Sequence, residues 1–259
     1  MKNYSIIVAY DGTDFHGWQQ QRGDITITSC MEEAWLKTFR HSINVFGASR
    51  TDAGVHALGQ VARFRTDMTI EPERMLKAWN AALPPSIFIR SLALAPDDFN
   101  PLKHVKQKTY YYTLFLQRPL PHVARFGWHY IFINQVDLNI FTRALQCYVG
   151  THDFGSFCKK EYDDEPTIQT IDKIDLYSFK RWGALTVAIH GKSFAHFQIR
   201  RMIGYALDVA RRPELSLDYL QEILKNPNPK QTLVKADPQG LCLRKVLYKN
   251  HDERSKRVY

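Results

Sequence analysis

The 259-residue sequence has four cysteines, and Cys30, Cys147, Cys158 and Cys242 lie far apart with no CxxC pair among them. That spacing excludes both a disulfide framework and a zinc knuckle. The ten histidines contain no HExxH, and His190 and His196 form a scattered pair with no ligand set around them, so no metal is expected. No apolar run approaches the roughly 18 to 20 residues of a spanning helix. The amino-terminal stretch turns polar too soon after "SIIVAY" to act as a signal peptide. A soluble, cytoplasmic protein with no membrane partner is expected. Acidic residues are also few, with 26 Asp and Glu against 35 Lys and Arg, and the formal charge of +9 favours polyanionic partners such as nucleic acid.

What the chain does contain is a globular composition, 44% hydrophobic and 13% aromatic, with enough length for two modest cores. "YSIIVAY" (4–10) reads as a buried strand stopped by "DGT". A helix follows, with Met31, Trp35 and Phe39 at helical spacing and Ser29 with Glu32 as its capping box. "GQVARFRT" is strand-like, "PERMLKAWNAAL" opens a helix on Pro72 and repeats Leu76, Trp79 and Leu83, and "SIFIRSLALA" is a further strand. The first half therefore reads β-α-β-α-β.

The second half shows no sequence repeat. "QKTYYYTLFLQ" is strand-forming, "VDLNIFTRALQCYVG" is a helix capped by Asp137 and ending at Gly150, and "IQTIDKIDLYSF" with "GALTVAIHG" form a hairpin around "KRWG". Two helices, "FQIRRMIGYALDVARR" and "SLDYLQEILK", precede a last strand, "GLCLRKVLY". Strands joined by turns and helices favour an α+β fold with a largely antiparallel sheet. The basic "KHVKQK" marks the domain junction, which places an amino-terminal domain at 1–103, a carboxy-terminal domain at 104–249 and a charged tail at 250–259.

Three stretches carry chemistry-bearing residues. In "FGASRTDAGVHALGQVARF", Asp52 is a lone carboxylate, with Arg50 two residues before it and His56 four after. Taken alone, T-D-A-G is a good turn, with Gly54 able to take positive φ. A loop flanked by ordered apolar structure is also where catalytic groups sit. In "KTYYYTLF", Tyr110 and Tyr112 face one side of a strand and Tyr111 the other, suited to sheet packing or to stacking beneath a base, with Lys106 and Lys108 placed to neutralise phosphates. In "FAHFQIRRMIGYAL", Arg200 and Arg201 interrupt an apolar helix, and they either face solvent or turn inward to pair with an acid.

Together and in order, "YDGTDFHGWQQQ", "ASRTDAGVHALGQVARF", "KTYYYTLF", "THDFGSFC", "FQIRRMIG" and "ADPQGLCLRKVLY" resemble the TruA family of tRNA pseudouridine synthases, from about Tyr4 to Tyr248. "RTDAGVHA" is the most specific block. The resemblance implies two α/β domains with ferredoxin-like halves, an active-site cleft between them and a homodimer needing neither metal nor cofactor. It implies isomerisation of uridine to pseudouridine at positions 38, 39 and 40 in the anticodon arm of tRNA.

Carried onto this sequence, the family's catalytic aspartate falls on Asp52, and the arginine that helps hold the target nucleotide out of its helix falls on Arg50. Tyr110 matches the aromatic that packs on the uracil, Arg200 matches the guanidinium that pairs with the catalytic carboxylate, and His56 joins them as a substrate-binding candidate. Ionised Asp52 could attack the sugar, attack the base ring or remove a sugar proton; sequence does not choose among these. A non-catalytic tRNA-binding protein or folding chaperone, or a synthase acting on a different RNA site, are the competing readings. The chain departs from the family pattern in "FNPLKHVKQK", where His, Ala and Arg usually follow the phenylalanine. It departs again at Tyr111, often arginine in the family, and at "TSCMEEAW", where a V-Q pair is common.

Overall fold

Alternation in "KNYSIIVAY" buries Tyr4, Ile6, Val8 and Tyr10 on one face of the first strand, β1 (Lys2–Tyr10), as a half-buried strand should. The computed structural model describes residues 1–160, 166–231 and 233–249, and the charged tail expected at 250–259 lies outside the described residues. The chain divides into two units, Met1–Lys108 with the residues from Cys242 onward, and Thr109–Leu241.

In the first unit the expected β-α-β-α-β order appears as β1, α1 (Ile27–Phe39), β3 (His56–Thr66), α2 (Pro72–Ala82) and β4 (Ile87–Leu94), with a two-residue strand, β2 (Phe46–Gly47), added beside β3. β1 pairs antiparallel with both β3 and β4. The last strand, β9 (Leu241–Tyr248), pairs parallel with β3 through His56 and Cys242. This corrects the expected boundary: β9 groups with the first unit, not the second. Alternation identifies a strand but carries no record of its neighbour.

α1 is capped by Thr26, whose hydroxyl accepts from Ser29 N at 3.2 Å while Thr26 N donates to Ser29 Oγ at 2.9 Å. The box expected from Ser29 and Glu32 therefore sits three residues earlier. Glu32 is committed elsewhere, accepting the Val45 N–H at 2.8 Å. Trp35 of α1 and Trp79 of α2 meet edge to face with centroids 4.8 Å apart, and both pack on Phe64 of β3. Such pairs contribute about 0.5 to 1.5 kcal/mol beyond their buried area. Trp79 Nε1 donates to Met31 O at 2.9 Å, which satisfies the one polar atom of that buried ring.

The second unit opens within β5 (Val105–Phe115) and continues through α3 (Leu138–Gln146), β6 (Gly150–Asp153), β7 (Ile168–Phe179), β8 (Ala184–Gly191), α4 (Gln198–Arg211) and α5 (Leu217–Lys225). Its strands lie in the order β5-β8-β7-β6, with β6–β7 and β7–β8 antiparallel. The hairpin expected around "KRWG" forms between β7 and β8, where Gly183 takes φ +55°. Asp137 caps α3 through the Asn139 and Ile140 amides at 2.8 and 3.1 Å. That helix ends at Gln146, short of Gly150, which instead opens β6. Tyr148, Phe154 and Phe157 form the fully buried aromatic centre, and Tyr148 donates to Met202 O of α4. The class is α+β with a largely antiparallel mixed sheet, as expected.

Candidate active site

Asp52 is half-buried at the head of a turn closed by the main chain, Val55 N to Asp52 O at 3.1 Å, with Gly54 at φ +77°. The turn does not stand alone. Thr51 is buried, its hydroxyl 2.8 Å from Tyr10 Oη and its carbonyl accepting Trp18 N–H at 3.1 Å; Gly54 N donates to Phe15 O at 3.2 Å. Two glycines of "DGTDFHGW" form the wall behind it. A Cβ on Gly12 would stand 2.0 Å from Val55 O, and one on Gly17, whose φ is +90°, 2.5 Å from Thr51 O. The loop that carries Asp52 is thus fixed by backbone contact on one side and by a buried tyrosine and tryptophan on another.

Arg50, two residues earlier, is exposed. His56 is buried, with Nδ1 3.1 Å from Gly12 N and 3.2 Å from Asp11 Oδ1, where it ties the end of the Asp52 turn to the "YDG" corner. Lys108, expected to neutralise a phosphate, is instead buried: its Nζ donates to Ala48 O at 2.7 Å and lies 3.4 Å from Ser49 Oγ. Lys106 is exposed.

Within the second unit, Tyr110 is buried on β5 and meets the edge of Phe194 with centroids 5.2 Å apart. Tyr112 shares its face, as the alternation requires, and donates to Asp237 O at 2.8 Å; burial pushes its hydroxyl well above the usual range. Arg200 is 7% exposed, and its Nε donates to Ala236 O at 2.8 Å while Ala236 N returns a bond to Arg200 O at 3.0 Å. Arg201 is half-buried and also turns inward, its Nη1 donating to Cys158 O at 2.6 Å. Both meet carbonyl groups, so inward-facing guanidinium groups are satisfied in part by the backbone. Phe197 opens α4 at φ +65°, with Arg200 Cζ 5.5 Å and Lys235 Nζ 3.8 Å from its ring centre, a cation-rich aromatic corner.

A family model described as tRNA pseudouridine synthase matches residues 6–102 and 144–249. The chain belongs to this family. Its members isomerise uridine to pseudouridine. The tRNA pseudouridine synthase A of Thermodesulfovibrio yellowstonii is 32% identical over 258 residues, covering 96% of this chain and 100% of its own. Those of a Thermoanaerobacter species and of Bdellovibrio bacteriovorus are 32% and 34% identical, covering 96% and 93% of this chain. Asp52, Arg50, His56 and Arg200 lie within the segments matched by the family model, and Tyr110 lies between them.

Several residues that shape the family's signature loop are not chemical in type and were not singled out from sequence. Gly12, Gly17, Tyr10 and Trp18 act through contact with residues 33 to 43 positions away, visible in sequence only as the two glycines of "DGTDFHGW". Gln60, fully buried, donates to Ser49 O at 2.6 Å. The atypical "FNPLKHVKQK" segment is anchored: Asn3 Nδ2 donates to Pro96 O and Phe99 O at 2.7 and 3.2 Å, and Tyr248 Oη to Pro101 O at 2.7 Å. Among the described residues no group of three or more His, Cys, Asp or Glu side chains could hold a metal ion, and no helix is long and apolar enough to cross a membrane.

Proposed function

We propose that this protein isomerises uridine to pseudouridine at positions 38, 39 and 40 in the anticodon stem-loop of tRNA, with Asp52 as the catalytic carboxylate. The observation that carries the reading is the Asp52 turn itself, closed by its own main chain and walled by Gly12 and Gly17. Main-chain closure and the two close glycines fix where the carboxylate stands, as a reaction that uses one positioned acid requires.

The chemistry is balanced without redox change or water. The N1–C1′ bond of uridine breaks, the base turns, C5 bonds to C1′, the C5 proton leaves and N1 gains a proton. Asp52 attacks the sugar or the base, or removes a sugar proton, and each route uses its ionised form. The single carboxylate is consistent with isomerisation, since hydrolysis of a glycosidic bond usually employs a pair. Arg200 is the guanidinium partner of that carboxylate and Tyr110 the ring that packs on the uracil while it turns. The target base must leave its stack, at a cost of a few kcal/mol. Arg50, exposed beside the turn, offsets part of that by contacting the nucleotide. His56 supports the loop from behind through Gly12.

The protein acts in the cytoplasm as a homodimer; exposed Ile131, Phe126, Phe179 and Trp182 supply apolar surface of the kind a subunit contact covers. The test is tritium release from 5-tritiated uridine in unmodified tRNA, without added metal or nucleotide, followed by sequencing of the modified positions. Release with modification at 38 to 40 is expected. Tight tRNA binding without release would favour a chaperone role, and release from other uridines a different site.

A further inference from the structure

Lys108 is a buried cation for which the reaction as proposed has no use. It is 9% exposed on β5, and among the described residues its ammonium meets the Ala48 carbonyl at 2.7 Å and the Ser49 hydroxyl at 3.4 Å. Among the described residues no carboxylate pairs with it, and burial lowers its pKa to about 8. The other charged side chains on the same segments are Lys106 and Arg50, both exposed, and the half-buried Asp52. A lysine is among the residues least often buried without an acid, because desolvating the ammonium opposes folding. A phosphate ligand would sit in solvent, and this side chain does not.

What the buried charge does is grip the start of the Asp52 loop. Ala48 and Ser49 stand four and three residues before Asp52, and their main chain is otherwise held by Gln60 Nε2 on Ser49 O at 2.6 Å and by Ala48 N on Val61 O at 2.7 Å. Arg50 lies exposed immediately beyond, and Thr51 is anchored again by Tyr10. The approach to Asp52 is therefore pinned twice, at Thr51 and, at its entry, by a charge-assisted bond, which is stronger than a neutral one.

We propose that Lys108 is a positioning residue for the Asp52 loop, its ammonium holding the Ala48–Ser49 segment so that Asp52 is presented in a reactive geometry. This rests on the reading of Asp52 as the catalytic carboxylate. Replacing the ammonium by an uncharged chain leaves the Ala48 carbonyl without its donor and loosens the entry to the loop, while an arginine keeps a charged donor there.

The experiment compares full-length wild type, Lys108→Met and Lys108→Arg by tritium release, by tRNA binding and by hydrogen exchange of the amides at 48–55. Lys108→Met is expected to lower kcat by about 10- to 100-fold with tRNA affinity within about twofold, and to speed exchange in the loop. Lys108→Arg is expected to recover most of the rate and to sustain it above pH 8, where the wild type falls as its ammonium deprotonates near a pKa of about 8. A wild-type kcat with weakened, salt-sensitive binding in Lys108→Met would make the residue a phosphate ligand and overturn the proposal, as would unchanged loop exchange. If Lys108→Met does not fold, an alkaline limb in Lys108→Arg that coincides with the wild type's overturns it. No release by the wild type would remove the reading of Asp52, while the exchange comparison would still report whether Lys108 holds the loop.

Discussion

Gly17 lies against Thr51 so closely that a Cβ on it would stand 2.5 Å from the Thr51 carbonyl oxygen and 3.2 Å from the Asp52 carbonyl carbon. The neighbour is backbone and cannot swing aside, and the glycine's φ of +90° is one that other residues adopt only with strain. The early "DGTDFHGW" block is in this sense the mould of the later "RTDAGVH" block.

Gly17→Ala is expected to displace the Asp52 turn. The expected loss is about 1 to 3 kcal/mol of stability from the strained backbone and about 100-fold in kcat from misplacement of the carboxylate, with tRNA affinity retained. Thermal unfolding and single-turnover tritium release measure the two separately. Full activity in a stable Gly17→Ala protein would show that the loop tolerates movement.

Arg200→Lys tests the guanidinium as a fork and not as a charge. Lysine has no counterpart of the Nε that donates to Ala236 O at 2.8 Å, so a buried carbonyl loses its partner, at a cost of about 1 to 3 kcal/mol. Urea unfolding should show that loss, and kcat should fall while KM changes little. Unaltered kcat would argue that Arg200 serves only to hold the 234–240 segment.

Lys108 gives opposite pH trends for stability and activity. Its pKa in the folded chain, lowered by burial to about 8, lies below that of an unfolded lysine, so between those values the unfolded chain binds more protons and this group's contribution to stability rises with pH. Below pH 8 burial of the charge opposes folding by about 3 kcal/mol relative to the neutral form, and that penalty is relieved as pH passes through the unfolded value. Activity moves the other way, because deprotonation weakens the hold on Ala48. A difference in unfolding free energy between wild type and Lys108→Met, followed from pH 7 to 10, should shift toward the wild type as pH rises.

Arg50→Ala addresses the RNA. An exposed arginine that meets a phosphate should contribute close to one unit to the slope of log affinity against log salt, so the variant's slope should be shallower by about one. A parallel line at lower affinity would point to a contact with the base or sugar instead.

Much of the fold was legible because periodicity reports burial. Met31, Trp35 and Trp79 recur at helical spacing and do bury against the sheet, and Asp137 and Pro72 start their helices as their chemistry requires. The cap of α1 was misplaced because Ser29 serves as the third residue of a box begun by Thr26, while Glu32 had a distant partner in Val45. The neighbour of β9 could not be read, since a parallel pair joins residues as far apart as His56 and Cys242. In the candidate site the chemical types stand out, whereas the supports do not: Lys108 reads in sequence as a surface base although it is buried, and Gly12 and Gly17 act only through close approach. The inward turn of Arg200 was legible as an alternative, but its carbonyl partner was not, because backbone acceptors leave no mark in sequence.

Asp52→Asn bears most directly on the account. The substitution keeps size and turn chemistry while removing the ionisable group, so the protein should fold, bind unmodified tRNA with affinity near that of the wild type, and release no tritium from 5-tritiated uridine above background. A variant that releases tritium at the wild-type rate would contradict the assignment of Asp52 as the catalytic carboxylate.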